Sequence, residues 1–576
     1  MADYESATSF LGEWGPFQRR VFLLLCLIVV PNGLSPFAVV FFADTPPHSC
    51  VIPARLNLTA AWRNSSIPLV AAQDGRLVPS QCSRYRVGDL QEFSQRGLVP
   101  WVDVNLTQLP REGCLDGWEY DRSVYVATIV SEWDLVCDDG WKKPMTSSLF
   151  FSGILVGSFC SGQLSDRYGR KKVLFVAKGM QTLLMFIQTF SSSWTMFCAL
   201  HFLVGIVQIS NYISAFVLGT EILGPQMRFL FSTAGANIFF ALGYMLLPLM
   251  AFYTRDWRNL LLCISLPTLV YIPFWWLIPE SPRWLVSQGK VEMAEAIIKN
   301  AARKNKLESP QTIFTACEKE VQSAPRKNHN MCDLLRSRNM RWLSVTLWLV
   351  WINMNIGYFA LSLNTSNLAG DMYFNCFLSA LVEVPAYILS WVLFRWCPRR
   401  LTLCPTFFLG GLCLFVIQLI PANLHAVGIT LEMMGKFCLT VVFSIIYAYT
   451  TELYPTVLRN SALGACSMAA RIGAIVAPYF IFLRSYSVSL PYILMASLSV
   501  LSGVLSLLLP ESFGIPLPDD PDDVQPFPGC CRKNYSHART TEEETIPGKQ
   551  VPESLSKLQE NNSDGLAEAV SFSPFK

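Results

Sequence analysis

Twelve stretches of apolar residues recur along this chain, each long enough to cross a membrane as a helix. A hydrocarbon core of about 30 Å requires about 20 helical residues. With 52% hydrophobic and only 15% charged residues, the chain lacks the polar side chains that a soluble protein of its length needs. The sequence therefore predicts an all-α membrane protein with twelve transmembrane helices. The predicted spans are residues 20–42, 145–164, 173–193, 196–219, 229–252, 259–278, 342–363, 372–395, 401–420, 427–450, 460–483 and 489–509.

Lysine and arginine are distributed unequally between the connections of these spans. The short connections at 191–194, 364–371 and 421–425 contain neither residue. Because positive charge stays on the cytoplasmic side of a membrane, both termini are expected in the cytoplasm. The basic residues in the connections on that side are Arg167, Arg170, Lys171, Lys172, Arg228, Arg395, Arg399, Arg400 and Arg459.

Two short motifs recur at one fixed distance. Residues 221–228 read EILGPQMR, and residues 452–459 read ELYPTVLR, 231 positions later. The Pro-Glu-Ser that begins at Pro279 recurs at Pro510 with the same offset of 231. The repeat predicts two pseudo-symmetric six-helix halves, residues 1–278 and 342–509. This is the major facilitator arrangement, in which substrate binds between the halves near the membrane midplane.

The connections outside the spans predict three further regions. Residues 43–144 form an extracellular loop, and residues 279–341 form a central cytoplasmic loop with an amphipathic helix at Val291–Lys304. Residues 510–576 are rich in Pro, Glu, Ser and Asn and are predicted to be a disordered cytoplasmic tail. The extracellular loop is expected to be glycosylated at Asn57, Asn64 and Asn105 and to carry two disulfides among Cys50, Cys82, Cys114 and Cys137, with three pairings open.

Ionisable residues inside the spans are costly and are therefore candidates for function. They are Lys178, His201, Glu383, Glu432, Lys436 and Arg471. Arg471 lies among small residues in the eleventh span, and its planar fork suits bidentate binding of a substrate carboxylate. The alternative is a structural ion pair between Arg471 and Glu383 or Glu432.

Aromatic and amide side chains supply the remaining candidates. Ring faces bind quaternary ammonium groups at about 0.5–2 kcal/mol per contact, although each ring taken alone also suits simple packing. An arginine with several rings predicts a ligand with a carboxylate and a quaternary or imidazolium-like cation. The candidate rings are Trp351, Phe443, Tyr447, Phe240 and Tyr244, and the candidate amides are Asn32, Gln181, Gln208 and Asn211, which would coordinate Na+, hold the substrate or bond between helices.

Several motifs resemble the organic ion transporters of the major facilitator superfamily. They are FLGEWGPFQR at Phe10–Arg19, SDRYGRKK at Ser165–Lys172, PESPRWL at Pro279–Leu285 and ELYPTVLRN at Glu452–Asn460. NLTAAWRNSS, QISNY, GTEILG and NCFLSALVEVPAY resemble the vertebrate carnitine/organic cation transporter branch, and the resemblance runs from about residue 2 to 518. That branch is implied to move carnitine and ergothioneine, often with Na+, and some cations without it.

The resemblance also implies roles for individual residues. Positions tied to substrate or Na+ are matched by Asn32, Gln181, Asn211, Trp351, Phe443, Tyr447, Glu452 and Arg471. Charged residues expected to pair across the inner face, and so to hold the outward-open state, are Asp166, Arg167, Arg170, Glu221, Arg228, Glu452 and Arg459. The tentative Na+ set is Asn32, Gln181, Gln208 and Glu452.

The chain departs from the branch at several positions. It reads GTEILGPQ where the branch has a phosphate-loop-like GTEILGKS, so no ATP site is expected. Lys178 and Glu432 replace residues that are usually apolar, and small polar residues are usual where Met468 and Ala470 stand. The terminus Ser573-Pro-Phe-Lys576 makes scaffold binding through the C-terminus doubtful.

Three functions follow as hypotheses. The first is Na+-coupled import of carnitine- or ergothioneine-like zwitterions at the plasma membrane. By resemblance, the ring of Phe240, which has no hydroxyl, favours ergothioneine over carnitine as the substrate. The second is Na+-independent transport or exchange of organic cations, and the third is a nontransporting sensor. Because the sequence contains no catalytic triad, metal-ligand cluster or phosphate loop, we expect no enzyme activity, no cofactor beyond Na+ and no nucleic-acid partner.

Overall fold

The computed structural model describes residues 7–71, 77–308, 310, 313–314, 334–421, 424–455, 458–514, 518, 524 and 526–529. Residues Met1–Cys530 form one compact unit. Most of the predicted tail and the middle of the central loop lie outside the described residues.

Twelve long helices form the body of the structure. In the first half, span 1 is Pro16–Leu34 with Val39–Phe42, span 2 is Lys142–Tyr168, span 3 is Arg170–Gln188, span 4 is Trp194–Ile222, span 5 is Pro225–Leu230, the π-helical turn Phe231–Gly235 and Ala236–Thr254, and span 6 is Trp257–Ser265, Leu266–Tyr271 and Phe274–Leu277. In the second half, span 7 is Arg338–Leu363, span 8 is Met372–Leu381 with Glu383–Trp396, span 9 is Arg399–Val416, span 10 is His425–Leu453, span 11 is Arg459–Phe482, and span 12 is Leu490–Leu508.

Each predicted span corresponds to one of these helices, and eleven of them are long and apolar enough to cross a membrane. Span 3 is the exception because it carries Arg170, Lys171, Lys172 and Lys178 within nineteen residues. The first three lie in its first turn, whereas Lys178 is buried in the middle of the helix. Span 3 therefore brings one ammonium group deep into the bundle.

Glycines allow span 1 and span 5 to touch along their backbones. A Cβ placed on Gly33 would overlap the carbonyl oxygen of Phe240, and one on Gly243 would overlap that of Val30. Such close crossings are typical of membrane helices with small interfacial residues. The crossing places Asn32, the neighbour of Gly33, in the interior of the first half, where it is buried.

The sequence repeat has a structural counterpart at two helix starts. The Glu280 carboxylate accepts a hydrogen bond from the backbone N–H of Lys171 at 3.0 Å. The Glu511 carboxylate accepts from the backbone N–H groups of Arg399 and Arg400 at 2.9 and 3.0 Å. Because the first N–H groups of a helix lack partners within it, each glutamate caps the third helix of its own half.

We call the side from which residues 43–141 emerge the loop face, and the opposite side, where both halves begin and end, the termini face. Near the loop face the halves touch each other. Ser148 Oγ donates to the carbonyl oxygen of Ile475 at 2.7 Å, and the rings of Phe151 and Phe359 lie 4.8 Å apart. The structure therefore represents a state in which the halves meet at the loop face.

The loop between spans 1 and 2 is built from three antiparallel ribbons. Strand β1 (His48–Cys50) pairs with β6 (Trp118–Tyr120), β2 (Leu69–Ala71) with β3 (Leu77–Pro79), and β4 (Arg84–Tyr85) with β5 (Arg111–Glu112). Disulfides join Cys50 to Cys114 and Cys82 to Cys137. This arrangement selects one of the three pairings that the sequence left open.

A small core and a buried arginine stabilise this loop. Trp62 is fully buried against Leu90 and Leu106. Arg84, only 2% exposed, pairs with Glu112 at 2.9 Å and with Asp116 at 2.6 Å. The loop is therefore a folded domain, and the side chains of Asn57, Asn64 and Asn105 are exposed on it.

The described part of the central loop contains two helices, Pro282–Ser287 and Val291–Lys304. The second has the bounds predicted from its amphipathic pattern, and Ala294 and Ile298 are buried. Asn305 follows it and donates to the carbonyl oxygen of Leu11 and to Gln18 Oε1, so the helix is held against the N-terminal segment. The remaining short elements are helices Ala60–Asn64, Val87–Gln95 and Ile129–Glu132 and 3-10 turns Ser9–Leu11, Ala54–Leu56, Leu106–Gln108, Cys137–Asp139, Asn364–Asn367, Ile417–Leu419 and Leu483–Ser485.

Candidate substrate and ion site

Arg471 lies at a close crossing of span 11 with span 7. A Cβ on Gly473 would overlap the carbonyl oxygen of Ile352, so the two helices touch beside the arginine. Tyr212 of span 4 is close enough to interact electrostatically with both Tyr447 and Arg471. These three residues come from both halves, so Arg471 lies in the region between them.

Four aromatic rings of the second half form a continuous row. Trp351 meets Tyr447 edge to face at 4.5 Å, Tyr447 lies 5.7 Å from Phe443, and Phe443 stacks on Tyr358 at 5.2 Å. The Trp351 indole N–H donates to Thr450 Oγ1 at 3.2 Å, which fixes the orientation of its ring. The three rings chosen from the sequence are therefore neighbours, and Tyr358 extends the row.

In the first half, the candidate rings of Tyr244 and Phe240 both contact the ring of Phe37. Phe37 stacks on Tyr244 at 4.0 Å and meets Phe240 edge to face at 6.2 Å. The Tyr244 hydroxyl reaches the second half, where the Ser362 carbonyl oxygen lies at 3.2 Å and Ser379 Oγ at 3.3 Å. Tyr244 is thus a contact between the halves as well as a candidate ligand.

A buried ion pair lies beside this aromatic row. Lys436 Nζ is 3.1 Å from Glu383 Oε1, and the two side chains are 1% and 0% exposed. Lys436 also donates to Ser379 Oγ at 2.6 Å, and the Tyr358 hydroxyl donates to Glu383 at 2.8 Å. The lysine ammonium lies over the ring of Tyr244 at 4.6 Å from its centroid. Glu383 and the rings therefore surround an ammonium group that belongs to the protein.

The second intramembrane glutamate has other partners. Glu432 accepts hydrogen bonds from Asn364 Nδ2 at 3.0 Å and from the Tyr492 hydroxyl at 2.8 Å. Arg471 forms no ion pair with either glutamate within the described part of the chain, and its buried Nε has no hydrogen-bond partner there. The structural-pair alternative for Arg471 therefore finds no support in this structure.

The four candidate amides form one hydrogen-bonded network. Asn32 Nδ2 donates to Asn211 Oδ1 at 2.9 Å, and Asn211 Nδ2 donates to Gln181 Oε1 at 2.8 Å. Gln181 Nε2 donates to Gln208 Oε1, and Gln208 Nε2 donates to the carbonyl oxygen of Asn32, at 3.3 and 3.2 Å. Glu452, the fourth residue of the tentative Na+ set, does not join this network.

Glu452 instead belongs to a charge cluster at the termini face. Arg399 donates two hydrogen bonds to the Glu452 carboxylate, both at 3.0 Å. In the first half, Arg170 makes the same two bonds to Glu221, both at 3.2 Å, and contacts Asp166 at 2.7 Å. These pairs form within each half rather than across the interface, because the halves meet at the opposite face in this structure.

The other charged residues of the gating set lie at the same face. The Arg167 guanidinium lies 5.6 Å from the ring centroid of Tyr168, and Arg228 donates to the carbonyl oxygen of Leu223 at 3.4 Å. Arg459 has buried Nε and Nη2 atoms without hydrogen-bond partners among the described residues.

Sequence reasoning missed two site residues. Tyr358 lies seven residues after Trp351, which is two helical turns and therefore the same helix face. Tyr212 directly follows Asn211 in the QISNY motif, but its neighbours Tyr447 and Arg471 belong to the other half. Helical spacing from Trp351 could have identified Tyr358 as a site residue, whereas nothing in the sequence places Tyr212 beside residues of the other half.

Comparison with known proteins agrees with this architecture. Residues 140–519 match the family described as "Sugar (and other) transporter". Among solved structures, the inward-open xylose transporter XylE of E. coli has a TM-score of 0.56 at 12% identity, covering 87% of this chain and 98% of that chain. This likeness shows a shared twelve-helix major facilitator fold.

Relatives of known name are much more similar in sequence. The human "Organic cation/carnitine transporter 2" is 52% identical over 541 residues, which cover 94% of this chain and 97% of the relative. The mouse "Solute carrier family 22 member 4" is 52% identical, with coverage of 93% and 97%. The Drosophila melanogaster "Organic cation transporter protein" is 33% identical, with coverage of 91% and 95%. These relatives are transporters rather than enzymes, and the chain belongs to the organic cation and carnitine transporter branch of the major facilitator superfamily.

Proposed function

We propose that the chain is a plasma-membrane transporter that imports zwitterions by alternating access coupled to Na+. The substrate class carries a carboxylate at one end and a quaternary ammonium or imidazolium-like cation at the other, as carnitine and ergothioneine do. The observation that supports this best is Arg471, a guanidinium between the halves without an ion-pair partner among the described residues.

The chemistry of the site suits both ends of such a substrate. A guanidinium presents a planar fork that binds a carboxylate through two parallel hydrogen bonds. The row that begins with Trp351 and Tyr447 offers ring faces to a cation. Because Tyr212 of the first half and Arg471 of the second half border the same region, a ligand bound to Arg471 would lie between the halves and would favour their closure around it.

Other features support the cellular setting and the coupling ion. The basic connections favour a cytoplasmic location for both termini, and the exposed sequon asparagines then lie on the extracellular loop. Na+ coupling is supported by the buried amide network, in which Asn32 Oδ1 has no hydrogen-bond partner among the described residues. Amide oxygens are suitable ligands for a hard cation.

One observation favours Na+-independent transport of organic cations as a second candidate. Glu383 Oε2 is buried without a hydrogen-bond partner in the described structure, and Tyr244 and Tyr358 lie close by. A carboxylate with two rings could receive a simple cation in place of the Lys436 ammonium, without any use of Arg471.

Radiolabelled uptake decides between the two candidates. Cells that express the chain are given carnitine, ergothioneine or tetraethylammonium, each with Na+ or with N-methyl-D-glucamine in its place. We expect zwitterion uptake above that of mock-transfected cells and stimulation by Na+. Uptake of tetraethylammonium alone, unaffected by Na+, would support the second candidate and contradict the first.

A further inference from the structure

The amide network in the first half contains a lysine. Lys178 is one helical turn before Gln181 on span 3, and its ammonium donates to Gln181 Oε1 at 3.3 Å. The side chain is 4% exposed, and its Nζ lies 5.8 Å from the ring centroid of Tyr271. No carboxylate pairs with Lys178 within the part of the chain that the structure describes. An amide oxygen and a ring face thus replace the counter-ion.

The lysine uses an oxygen that Na+ would need. Gln181 Oε1 already accepts from Asn211 at 2.8 Å as well as from Lys178. Within the described residues, the buried amide oxygen of this network that still lacks a donor is Asn32 Oδ1. A Na+ ion bound here would therefore share Gln181 with an ammonium group, and two positive charges this close repel strongly in a water-poor interior.

We propose that the Lys178 ammonium is a tethered cation at this network, and that Na+ and the ammonium exclude each other. Na+ binds only when the ammonium leaves Gln181, so the lysine weakens the apparent affinity for Na+. When Na+ is absent, the Lys178 ammonium fills the cation position and supports Na+-independent uptake. This inference rests on the proposed function, because it concerns the coupling ion of that transport.

The test compares the Na+ dependence of carnitine uptake in cells that express the full chain. Lys178→Met removes the charge but keeps most of the side-chain volume, and Lys178→Arg keeps the charge. Lys172→Met is the matched control, because Lys172 is exposed on the same helix. Uptake is normalised to surface protein, with N-methyl-D-glucamine replacing Na+.

In Lys178→Met we expect the half-saturating Na+ concentration to fall by about tenfold, a typical coupling between two ligands. Uptake without Na+ should fall towards the mock-transfected background. Lys178→Arg and Lys172→Met should resemble the wild type. An unchanged or higher half-saturating Na+ concentration in Lys178→Met would overturn the proposal.

A binding measurement separates this proposal from the transport function. Purified wild type and Lys178→Met are heated in increasing NaCl, with N-methyl-D-glucamine chloride holding ionic strength constant. Because an ion that binds only the folded protein raises its melting temperature, Na+ should stabilise Lys178→Met at lower concentrations than the wild type. Equal stabilisation of the two proteins, or none, would overturn the proposal even if neither protein transports a zwitterion.

Discussion

The single charged residues inside the membrane spans differ in how their charges are balanced. Lys436 and Glu383 neutralise each other, Glu432 is held by neutral donors, and Lys178 has an amide oxygen. Arg471 has none of these partners among the described residues. Arg471 is half-buried, and leaving its buried Nε without a hydrogen-bond partner is costly, so binding a substrate carboxylate would remove that cost. Arg471 is therefore free to bind a substrate carboxylate, whereas the charges of Lys436 and Glu383 already neutralise each other.

Removing one member of the Glu383–Lys436 pair should destabilise the protein. Glu383→Gln leaves a buried ammonium without a counter-charge, which costs about 3–5 kcal/mol, so the melting temperature of the purified protein should fall clearly. The double variant Glu383→Gln, Lys436→Met should recover much of that loss, because no charge remains. Equal melting temperatures for the wild type and Glu383→Gln would show that the pair does not stabilise the fold.

At the scale of helices, the two halves use the same connections at the termini face. Glu280 and Glu511 cap spans 3 and 9, and Glu221 and Glu452 each bind the arginine that begins those spans. The repeat of 231 residues between Glu221 and Glu452 predicts this shared role. The tentative Na+ assignment of Glu452 rested on resemblance, and the structure places its carboxylate on Arg399.

Neutralising the two glutamates should therefore have matching effects. In Glu221→Gln and Glu452→Gln, the loss of a charge-assisted contact costs about 1.5–3 kcal/mol in the state that contains it. We expect both variants to lower the maximal uptake rate at matched surface expression, with the half-saturating Na+ concentration unchanged. A selective increase of that concentration in Glu452→Gln would instead identify Glu452 as a Na+ ligand.

In the whole molecule, the loop domain and the membrane bundle are stabilised by different kinds of contact. The loop has its own core, two disulfides and the buried Arg84, whereas the bundle depends on close helix crossings. The sequon asparagines of the loop, Asn57, Asn64 and Asn105, are exposed. If the loop is extracellular, all three are accessible to glycosylation. The orientation of the entire chain can thus be tested at these positions.

Replacing Asn57, Asn64 and Asn105 with glutamine should remove the glycans. The triple variant should migrate faster on a gel, by about as much as the wild type does after glycosidase treatment. Asn364-Thr-Ser also fits the glycosylation pattern. As a control, Asn364→Gln should leave the mobility unchanged, because Asn364 is buried and bonded to Glu432. A wild type whose mobility does not respond to glycosidase would contradict the extracellular placement of the loop.

The sequence predicts the twelve helices because apolar length is a local property of the chain. The same holds for the Val291–Lys304 helix and for the spacing of Phe443 and Tyr447 on one face. Cysteine spacing does not determine which pairs meet, since all three pairings satisfy it. Helical spacing places Lys178 beside Gln181, but it does not predict that Asn32, Gln208 and Asn211, which come from spans 1 and 4, complete the amide network.

Paired uptake measurements on Arg471→Ala test whether Arg471 binds the carboxylate of a zwitterion. Loss of a buried charge-assisted contact costs about 2–5 kcal/mol, which corresponds to a fall of roughly 30-fold or more in apparent affinity. Carnitine uptake should therefore nearly disappear at matched surface expression, and Arg471→Lys should restore little of it, because an ammonium cannot replace the planar fork. Tetraethylammonium has no carboxylate, so its uptake should fall far less, since Trp351, Phe443 and Tyr447 remain. An equal loss of carnitine and tetraethylammonium uptake in Arg471→Ala would show that Arg471 does not bind the substrate carboxylate.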